Sequence, residues 1–116
     1  MSHNLVIIDG RKLKDWNSFH REFARVFGFP EFYGRNMNAW IDCMSSLSDP
    51  EDGMTTVTCA KGQMVMLQVE YAAELKANHR DLYEALVECT AFVNWRLIEV
   101  GEPPVLALSF NAQQPT

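Results

Sequence analysis

The chain has 116 residues, 47% of them hydrophobic, which is typical of one globular domain. With 15 acidic residues against 10 basic ones, its formal charge is −5, and it contains no long basic run. A surface that neutralises nucleic-acid phosphates is therefore not expected, and the acidic balance instead suits a basic protein partner.

The cysteines and the hydrophobic runs indicate the cellular setting. Cys43, Cys59 and Cys89 form no CxxC pair and have no histidine at metal-ligand spacing, so neither a disulfide framework nor a structural zinc site is predicted. The first apolar run is too short for a signal peptide, and no run approaches the roughly 20 apolar residues that span a bilayer. We expect a reduced, cytoplasmic protein with no membrane segment.

The chain begins with a predicted strand and a predicted helix. The run NLVIID is β-branched, apolar and closed by the turn dipeptide Asp9-Gly10, which indicates a buried strand. From Asp15, the expected N-cap, apolar residues recur at helical spacing until Gly28 and Pro30 end the pattern. They are Trp16, Phe19, Phe23, Val26 and Phe27. This helix is predicted to pack on the strand.

A second helix is predicted to begin near Asn36, after a turn at residues 32–34. Its buried stripe, at positions i, i+3, i+4 and i+7, consists of Met37, Trp40, Ile41 and Met44. At 100° per residue the other side of the helix should face solvent, and that side carries Asn38, Asp42 and Ser45. Ile41 lies toward the edge of the buried stripe.

The second half of the chain predicts a loop, two strands and one long helix. The polar stretch 45–62 is expected to be a loop with one short strand candidate, Thr55–Cys59. Gln63–Glu70 is apolar at nearly every position, which predicts a central strand covered on both faces or nearly so. A helix from Asn78 to Val100 is apolar around much of its circumference and should be mostly buried. A third strand, VLALSF, precedes a polar tail, residues 111–116, expected to be flexible.

The predicted order is therefore β-α-α-loop-β-α-β within one domain, residues 1–116. Strands separated by helical crossovers indicate an α/β fold with a three-stranded parallel sheet, connected in the right-handed sense and packed against helices.

Signals for catalysis are weak. The sequence has no GxGxxG and no GxxxxGK[ST] motif, so no phosphate-binding loop and no cofactor are predicted. Cys43 and Cys89 fall at or beside apolar helical stripes, where a small buried hydrophobe is the simplest interpretation. No histidine has a neighbour in sequence that suggests a catalytic triad. We predict that the protein is not an enzyme.

The turn before the second helix favours binding. Phe32 and Tyr33 are adjacent in a non-helical segment and cannot both point inward easily, so one of them should be displayed. Exposed aromatic residues beside an acidic residue make good interface anchors.

The same segment, PEFYGRNMNAWID, resembles the barstar family. The matching pattern is P-x-[aromatic]-Y-G-x-N-x-[DN]-A-x-x-D, and the residues that carry it are Pro30, Tyr33, Gly34, Asn36, Ala39 and Asp42. The predicted order of strands and helices is also that of the family along nearly the whole chain. Residues 48–62 form an insertion relative to the short family prototype.

The resemblance implies a cytoplasmic inhibitor or immunity protein that binds a basic, guanyl-specific ribonuclease toxin such as barnase. It implies one-to-one binding by a monomer, with no direct nucleic-acid contact, and with the second helix and the preceding loop blocking the active site. By this resemblance Asp42 reaches the phosphate site, Phe32 stacks at its rim, Tyr33 and Gly34 shape the turn, and Asn36 caps the helix. The implied partner-binding set is Phe32, Tyr33, Gly34, Arg35, Asn38, Ile41, Asp42 and Ser45.

The sequence departs from the family prototype at four places. Asn38 stands where the prototype has a second interface aspartate, and Ile41 stands where it has an exposed tryptophan. Arg35 adds positive charge, and Arg96 falls near a position of the last helix that is acidic in the prototype, with Glu99 nearby. These changes leave open an alternative function, a barstar-fold binding module for a non-nuclease or RNA-processing partner.

The acidic cluster in the insertion has two interpretations. Asp49, Glu51 and Asp52 supply replacement acidity if the loop lies beside the second helix. The plainer interpretation is a solvated loop, because charge runs beside Pro and Gly usually are.

Overall fold

The structure is a computed structural model and describes residues 4–112. Its strands are β1 (Leu5–Asp9), β2 (Val65–Glu70) and β3 (Leu106–Asn111). Its helices are α1 (Trp16–Phe27), α2 (Met37–Met44), α3 (Ala72–Asn78) and α4 (Arg80–Glu99). Single 3-10 turns occupy Gly10–Lys12 and Pro50–Asp52. The order is β-α-α-β-α-α-β, so the one long helix predicted for the second half is preceded by a further short helix.

The sheet is parallel and open, with strand order β1-β2-β3. The predicted parallel sheet and the central position of the second strand are confirmed. In this register Val6, Leu67 and Leu108 share one face, on which the large buried side chains gather. On the opposite face Leu5 and Met66 are neighbours and both are exposed. The expectation that β2 is covered on both faces is therefore wrong, because the core lies on one side of the sheet.

Helix α1 has the predicted boundaries. The Asp15 carboxylate accepts a hydrogen bond from the Ser18 backbone N–H at 2.7 Å, and the Ser18 hydroxyl oxygen accepts from the Asp15 N–H at 3.0 Å. This capping box satisfies N–H groups that a helix start leaves unpaired. Gly28 ends the helix with φ +69°, a left-handed conformation that glycine adopts without steric cost. Three phenylalanines of the predicted stripe, Phe19, Phe23 and Phe27, are fully buried.

The segment Thr55–Cys59, predicted as a short strand, is not one. The backbone N–H groups of Thr56 and Val57 donate to the Phe27 carbonyl at the end of α1, and the Cys59 N–H donates to the Leu47 carbonyl. These donors are satisfied by the last residue of α1 and by a residue shortly after α2 rather than by a strand ladder, so hydrogen bonds hold the loop against the ends of both helices.

The division between α3 and α4 falls at His79, whose φ of −143° interrupts the helical path. The buried residues of α4 lie at i, i+4, i+8 and i+11, a single narrow stripe made of Leu82, Leu86, Thr90 and Val93. Tyr83 and Leu97 are half-buried against the core, but the prediction of a mostly buried helix is wrong, since several large apolar side chains are exposed. They are Val87, Phe92, Trp95, Ile98 and, just after the helix, Val100.

Asn94 joins α4 to the sheet. Its side-chain oxygen accepts hydrogen bonds from the backbone N–H groups of Val105 and Leu106, and its amide donates to the Leu106 carbonyl at 2.7 Å. At the other end of β3, Asn111 is still part of the strand, and its amide donates to the Glu70 carboxylate at 3.0 Å. The predicted flexible tail therefore starts too early by at least one residue, and residues 113–116 lie outside the described part of the chain.

None of the helices within residues 4–112 combines the length and the hydrophobicity needed to cross a bilayer.

Candidate functional site

The turn before α2 displays one of its two aromatic side chains and buries the other, as predicted. Phe32 is 76% exposed, whereas Tyr33 is 9% exposed. The Tyr33 hydroxyl shares a hydrogen bond with Nδ1 of the buried His20 at 2.6 Å, and its ring packs 4.6 Å from that of Phe29. Tyr33 therefore anchors the turn from which Phe32 projects.

Their surroundings keep both the Tyr33 hydroxyl and the His20 ring uncharged. Burial raises the pKa of the Tyr33 phenol well above its usual value. Burial, followed by the charge of Arg35, lowers the pKa of His20. At neutral pH the hydrogen bond therefore joins a phenol and a neutral imidazole, which suits their buried position.

The predicted N-cap of α2 is confirmed. The Asn36 side-chain oxygen accepts a hydrogen bond from the Ala39 N–H at 2.8 Å, and its amide approaches the Gly34 carbonyl at 3.4 Å. The left-handed residue of this turn is Arg35, with φ +54°, while Gly34 adopts no positive φ. The Arg35 guanidinium reaches toward Asn17, with Nη1 3.5 Å from Oδ1.

Helix α2 has the buried and exposed sides that its periodicity predicts. Trp40 and Met44 are fully buried and Met37 is half-buried, whereas Asn38 and Asp42 are exposed.

Three members of the implied partner-binding set have side chains that are buried or half-buried: Tyr33, which anchors the turn, Ile41 and Ser45. Ile41 is 8% exposed, so its side chain is a core residue and does not stand on the outer surface. Ser45 is half-buried rather than solvent-facing, because its hydroxyl donates to the Ile41 carbonyl at 2.6 Å. The side chains of the set that remain exposed are those of Phe32, Arg35, Asn38 and Asp42.

Asp42 has an ion-pair partner on α4. Nη1 of Arg96 donates to Oδ1 of Asp42 at 3.0 Å, and the two side chains are 42% and 59% exposed, respectively. These residues are 54 positions apart in the sequence, and nothing in the local pattern of either helix links them. The last helix thus brings a cation, rather than an acid, to the carboxylate of α2.

A pocket of about 140 Å³ lies between the turn and α2. Asp42 lies at this pocket together with apolar groups from three segments, among them Phe32, Tyr33, Cys43 and Met54. Met54 lies in the loop 48–62, so this loop lies beside α2. No sequence signal separated this methionine from its polar neighbours.

The acidic cluster of the same loop is largely engaged within the protein. Asp49 accepts a hydrogen bond from Lys61 at 2.9 Å, and Asp52 accepts one from the Ser46 hydroxyl at 3.0 Å. Lys61 also pairs with Glu102 at 3.0 Å, and the two carboxylates raise its pKa. Asp49 and Asp52 therefore help to hold the loop in place through these bonds. The Glu51 side chain is exposed.

The cysteines are poor nucleophiles in this environment. Burial, and then the negative charge of Asp42, raises the pKa of Cys43 to about 11. Burial also raises the pKa values of Cys59 and Cys89. The thiolate is the reactive form, so these thiols are unreactive at neutral pH. Within residues 4–112, no group of three or more His, Cys, Asp or Glu side chains is arranged to hold a metal ion.

The fold and the site together define a small α/β protein with an open parallel sheet and an exposed carboxylate and aromatic on one helix and its preceding turn. The chain matches the family described as Barstar (barnase inhibitor) over residues 3–108 and belongs to that family. It is also 36% identical over 44 residues to the "Putative ribonuclease inhibitor YrdF" of Bacillus subtilis (strain 168). That match covers 38% of this chain and 48% of YrdF, so it spans about half of the relative.

Proposed function

We propose that the protein inhibits a ribonuclease by binding it one-to-one, with the outer side of α2 and the turn before it entering the enzyme's active site. Membership in a family described as barnase inhibitors supports this role. The observation that carries it is the exposed Asp42 carboxylate at the edge of a pocket, beside the exposed ring of Phe32.

The chemistry is substitution of one anion for another. A ribonuclease active site holds cationic groups that bind RNA phosphates, and a carboxylate offered at the right place occupies the same cations. Asp42 supplies that carboxylate, and Phe32 supplies a flat apolar surface that can stack where a base or a side chain lies. The formal charge of −5 would speed the encounter with a basic enzyme at low salt.

The binding face is held by the interior of the protein. Trp40 and Met44 bury the inner side of α2, Asn36 caps its start, and the Tyr33–His20 hydrogen bond anchors the turn. Because these contacts exist before any partner arrives, little conformational freedom is left to lose on binding. A rigid face of this kind inhibits by occupancy and needs no catalytic group.

The setting that we propose is cytoplasmic, with the protein acting as an immunity protein against a toxin made by the same cell. The inhibited enzyme in this proposal is a basic, barnase-like ribonuclease, and the inhibitor touches no RNA itself.

The test is inhibition of RNA cleavage, with barnase and with any basic ribonuclease encoded beside this protein as the enzymes. We expect Asp42→Asn to weaken inhibition at least about thirtyfold, corresponding to about 2 kcal/mol for loss of a charge that is desolvated on binding. Asp81→Asn is the matched control: it makes the same change at another exposed aspartate, in the first turn of α4, and should leave inhibition within about twofold. Equal inhibition by wild type and Asp42→Asn, or none by wild type, would contradict the proposal.

A second candidate function follows from the mixed charge of the same face. Asn38 is exposed one helical turn before Asp42, Arg96 bonds to Asp42, and Arg35 is exposed in the preceding turn, so this segment is less acidic than a simple phosphate mimic. A barstar-fold binding module for a non-nuclease or RNA-processing protein would suit such a surface. Capture of such a partner by wild type but not by Asp42→Asn, with no inhibition of any ribonuclease, would favour this function.

A further inference from the structure

The Asp42–Arg96 ion pair places opposite charges side by side on the binding face. One guanidinium nitrogen donates to one carboxylate oxygen at 3.0 Å, and both side chains remain about half in solvent. Exposed pairs of this kind contribute little to folding stability, because water already solvates both charges well and long side chains lose freedom. The pair can therefore open without unfolding anything, and its main consequence is for whatever approaches Asp42.

Arg96 changes what a partner meets at this position. In the free protein the Asp42 carboxylate already has a cation, so a cation of the partner must displace Arg96 to reach it. Once displaced, the guanidinium stays within a side chain's length of Asp42, since it is tethered to α4 beside α2. Opposite a uniformly basic surface it is a repulsive charge brought close to other cations, in surroundings from which binding removes water.

We propose that Arg96 is a specificity-determining residue of this face. It disfavours partners whose facing surface is uniformly basic and favours a partner that offers a cation to Asp42 together with an anion to Arg96. The inference rests on the proposed function, because it concerns which ribonuclease the α2 face accepts. Specificity arises here from a repulsive element as well as an attractive one.

Arg80 provides a matched control for the charge of Arg96. It lies on the same helix, and its Nε donates to Glu84 at 3.0 Å, so it too is an exposed arginine in an ion pair. Sixteen residues at 1.5 Å per residue separate the two arginines by about 24 Å, which is beyond the screening length of about 8 Å in physiological salt.

The first experiment uses catalytically inactive barnase as the probe and measures association and dissociation rates. We expect Arg96→Met to bind about tenfold more tightly than wild type, chiefly through faster association, and Arg80→Met to stay within about twofold. In an Asp42→Asn background the gain from Arg96→Met should shrink, because the carboxylate that Arg96 competes for is gone. A gain no larger than that of Arg80→Met would overturn the inference while leaving the proposed function intact.

The second experiment tests whether Arg96 favours a partner that places an anion opposite it. Active-site and rim cations of inactive barnase are replaced one at a time by glutamate, and each variant is bound to wild type and to Arg96→Met. We expect at least one replacement to strengthen binding to wild type but weaken binding to Arg96→Met. If none does so, the paired-charge requirement is wrong.

A measurement on the free protein distinguishes failure of the inference about Arg96 from failure of the proposed ribonuclease inhibition. The side-chain NMR signals of Arg96 should shift on Asp42→Asn, whereas those of Arg80 should not, and an unmoved Arg96 signal would overturn the inference directly. If no variant binds barnase, Arg96→Met included, both the inference and the proposed function are contradicted for this enzyme. Binding by wild type that is lost in Asp42→Asn, with no gain in Arg96→Met, contradicts the inference alone.

Discussion

Helix α2 and the C-terminal half of α4 each contain a tryptophan among apolar residues, but the two side chains differ in solvent exposure. Trp40 on α2 is fully buried, whereas Trp95 on α4 is 54% exposed. In the sequence, the apolar residues of α2 form one stripe, whereas those of α4 spread around much of the helix. The difference is that α2 has its apolar side covered by the core, while α4 packs on the core along one side and leaves Trp95 on the other. Periodicity thus identifies the faces of a helix, but neighbouring elements decide how wide the buried face is.

Replacing each tryptophan tests this contrast with the largest expected effect. Trp40→Ala should lower the free energy of unfolding by about 3–5 kcal/mol, since it removes a large buried side chain and leaves a cavity. Trp95→Ala should lower it by less than about 1 kcal/mol, because solvent already reaches that ring. Urea denaturation at pH 7 measures both. Equal losses would mean that α4 is covered in solution at Trp95.

Asn94 tests the side of α4 that is covered. Asn94→Ala should cost about 1–3 kcal/mol, because the buried N–H groups of Val105 and Leu106 lose their acceptor. Hydrogen exchange at these two amides should accelerate together with the loss of stability. Asn38→Ala on the exposed side of α2 is the control and should change stability by no more than about 0.5 kcal/mol. Unchanged exchange at Val105 and Leu106 would show that this link is not formed in solution.

The start of α2 is predicted to depend on one side chain. Asn36→Ala should cost about 1 kcal/mol, because the Ala39 N–H loses its capping acceptor, and Asn36→Asp should retain most of the stability. The loss should also weaken ribonuclease binding, since the cap holds the turn that carries Phe32. An Asn36→Ala variant as stable as Asn36→Asp would argue against capping here.

The smallest expected effect is a pH dependence from the buried anchor of the turn. The pKa of His20 is lower in the folded protein than in the unfolded chain, where it is about 6.5. The unfolded state therefore binds more protons between the two values, and stability falls as pH drops below about 6.5. NMR titration of the His20 ring, with urea denaturation at pH 7.5 and pH 5.5, measures this. A folded-state pKa at or above 6.5 would contradict the burial of this histidine.

Local signals in the sequence predicted most of the fold and the α2 face. The caps at Asp15, Gly28 and Asn36 and the i, i+3, i+4 spacing of α2 depend on neighbouring residues only, and all are confirmed. The helix predicted from Asn78 begins within two residues of α4, but α3 was not predicted, since it is only seven residues long and has no side-chain cap.

Contacts between distant segments could not be predicted from the sequence. Met54 reaches the pocket, and Arg96 reaches Asp42, only because the fold brings the insertion and the last helix beside α2. Side-chain exposure on β2 and α4 likewise depended on which faces the other elements left open. The error at Ser45 has a local cause instead: its hydroxyl donates to the Ile41 carbonyl four residues earlier, although its angle on the helix predicted a solvent-facing side chain.

The end of α1 and the loop after α2 approach each other closely at Gly28 and Thr56. A Cβ on Gly28 would lie 2.0 Å from the Thr56 hydroxyl oxygen, and the left-handed φ of Gly28 would strain any other residue as well. The Thr56 backbone N–H, in turn, donates to Phe27 immediately before it. In this chain positions 28 and 56 are therefore coupled: any side chain at position 28 would require residue 56, and the loop that carries it, to move.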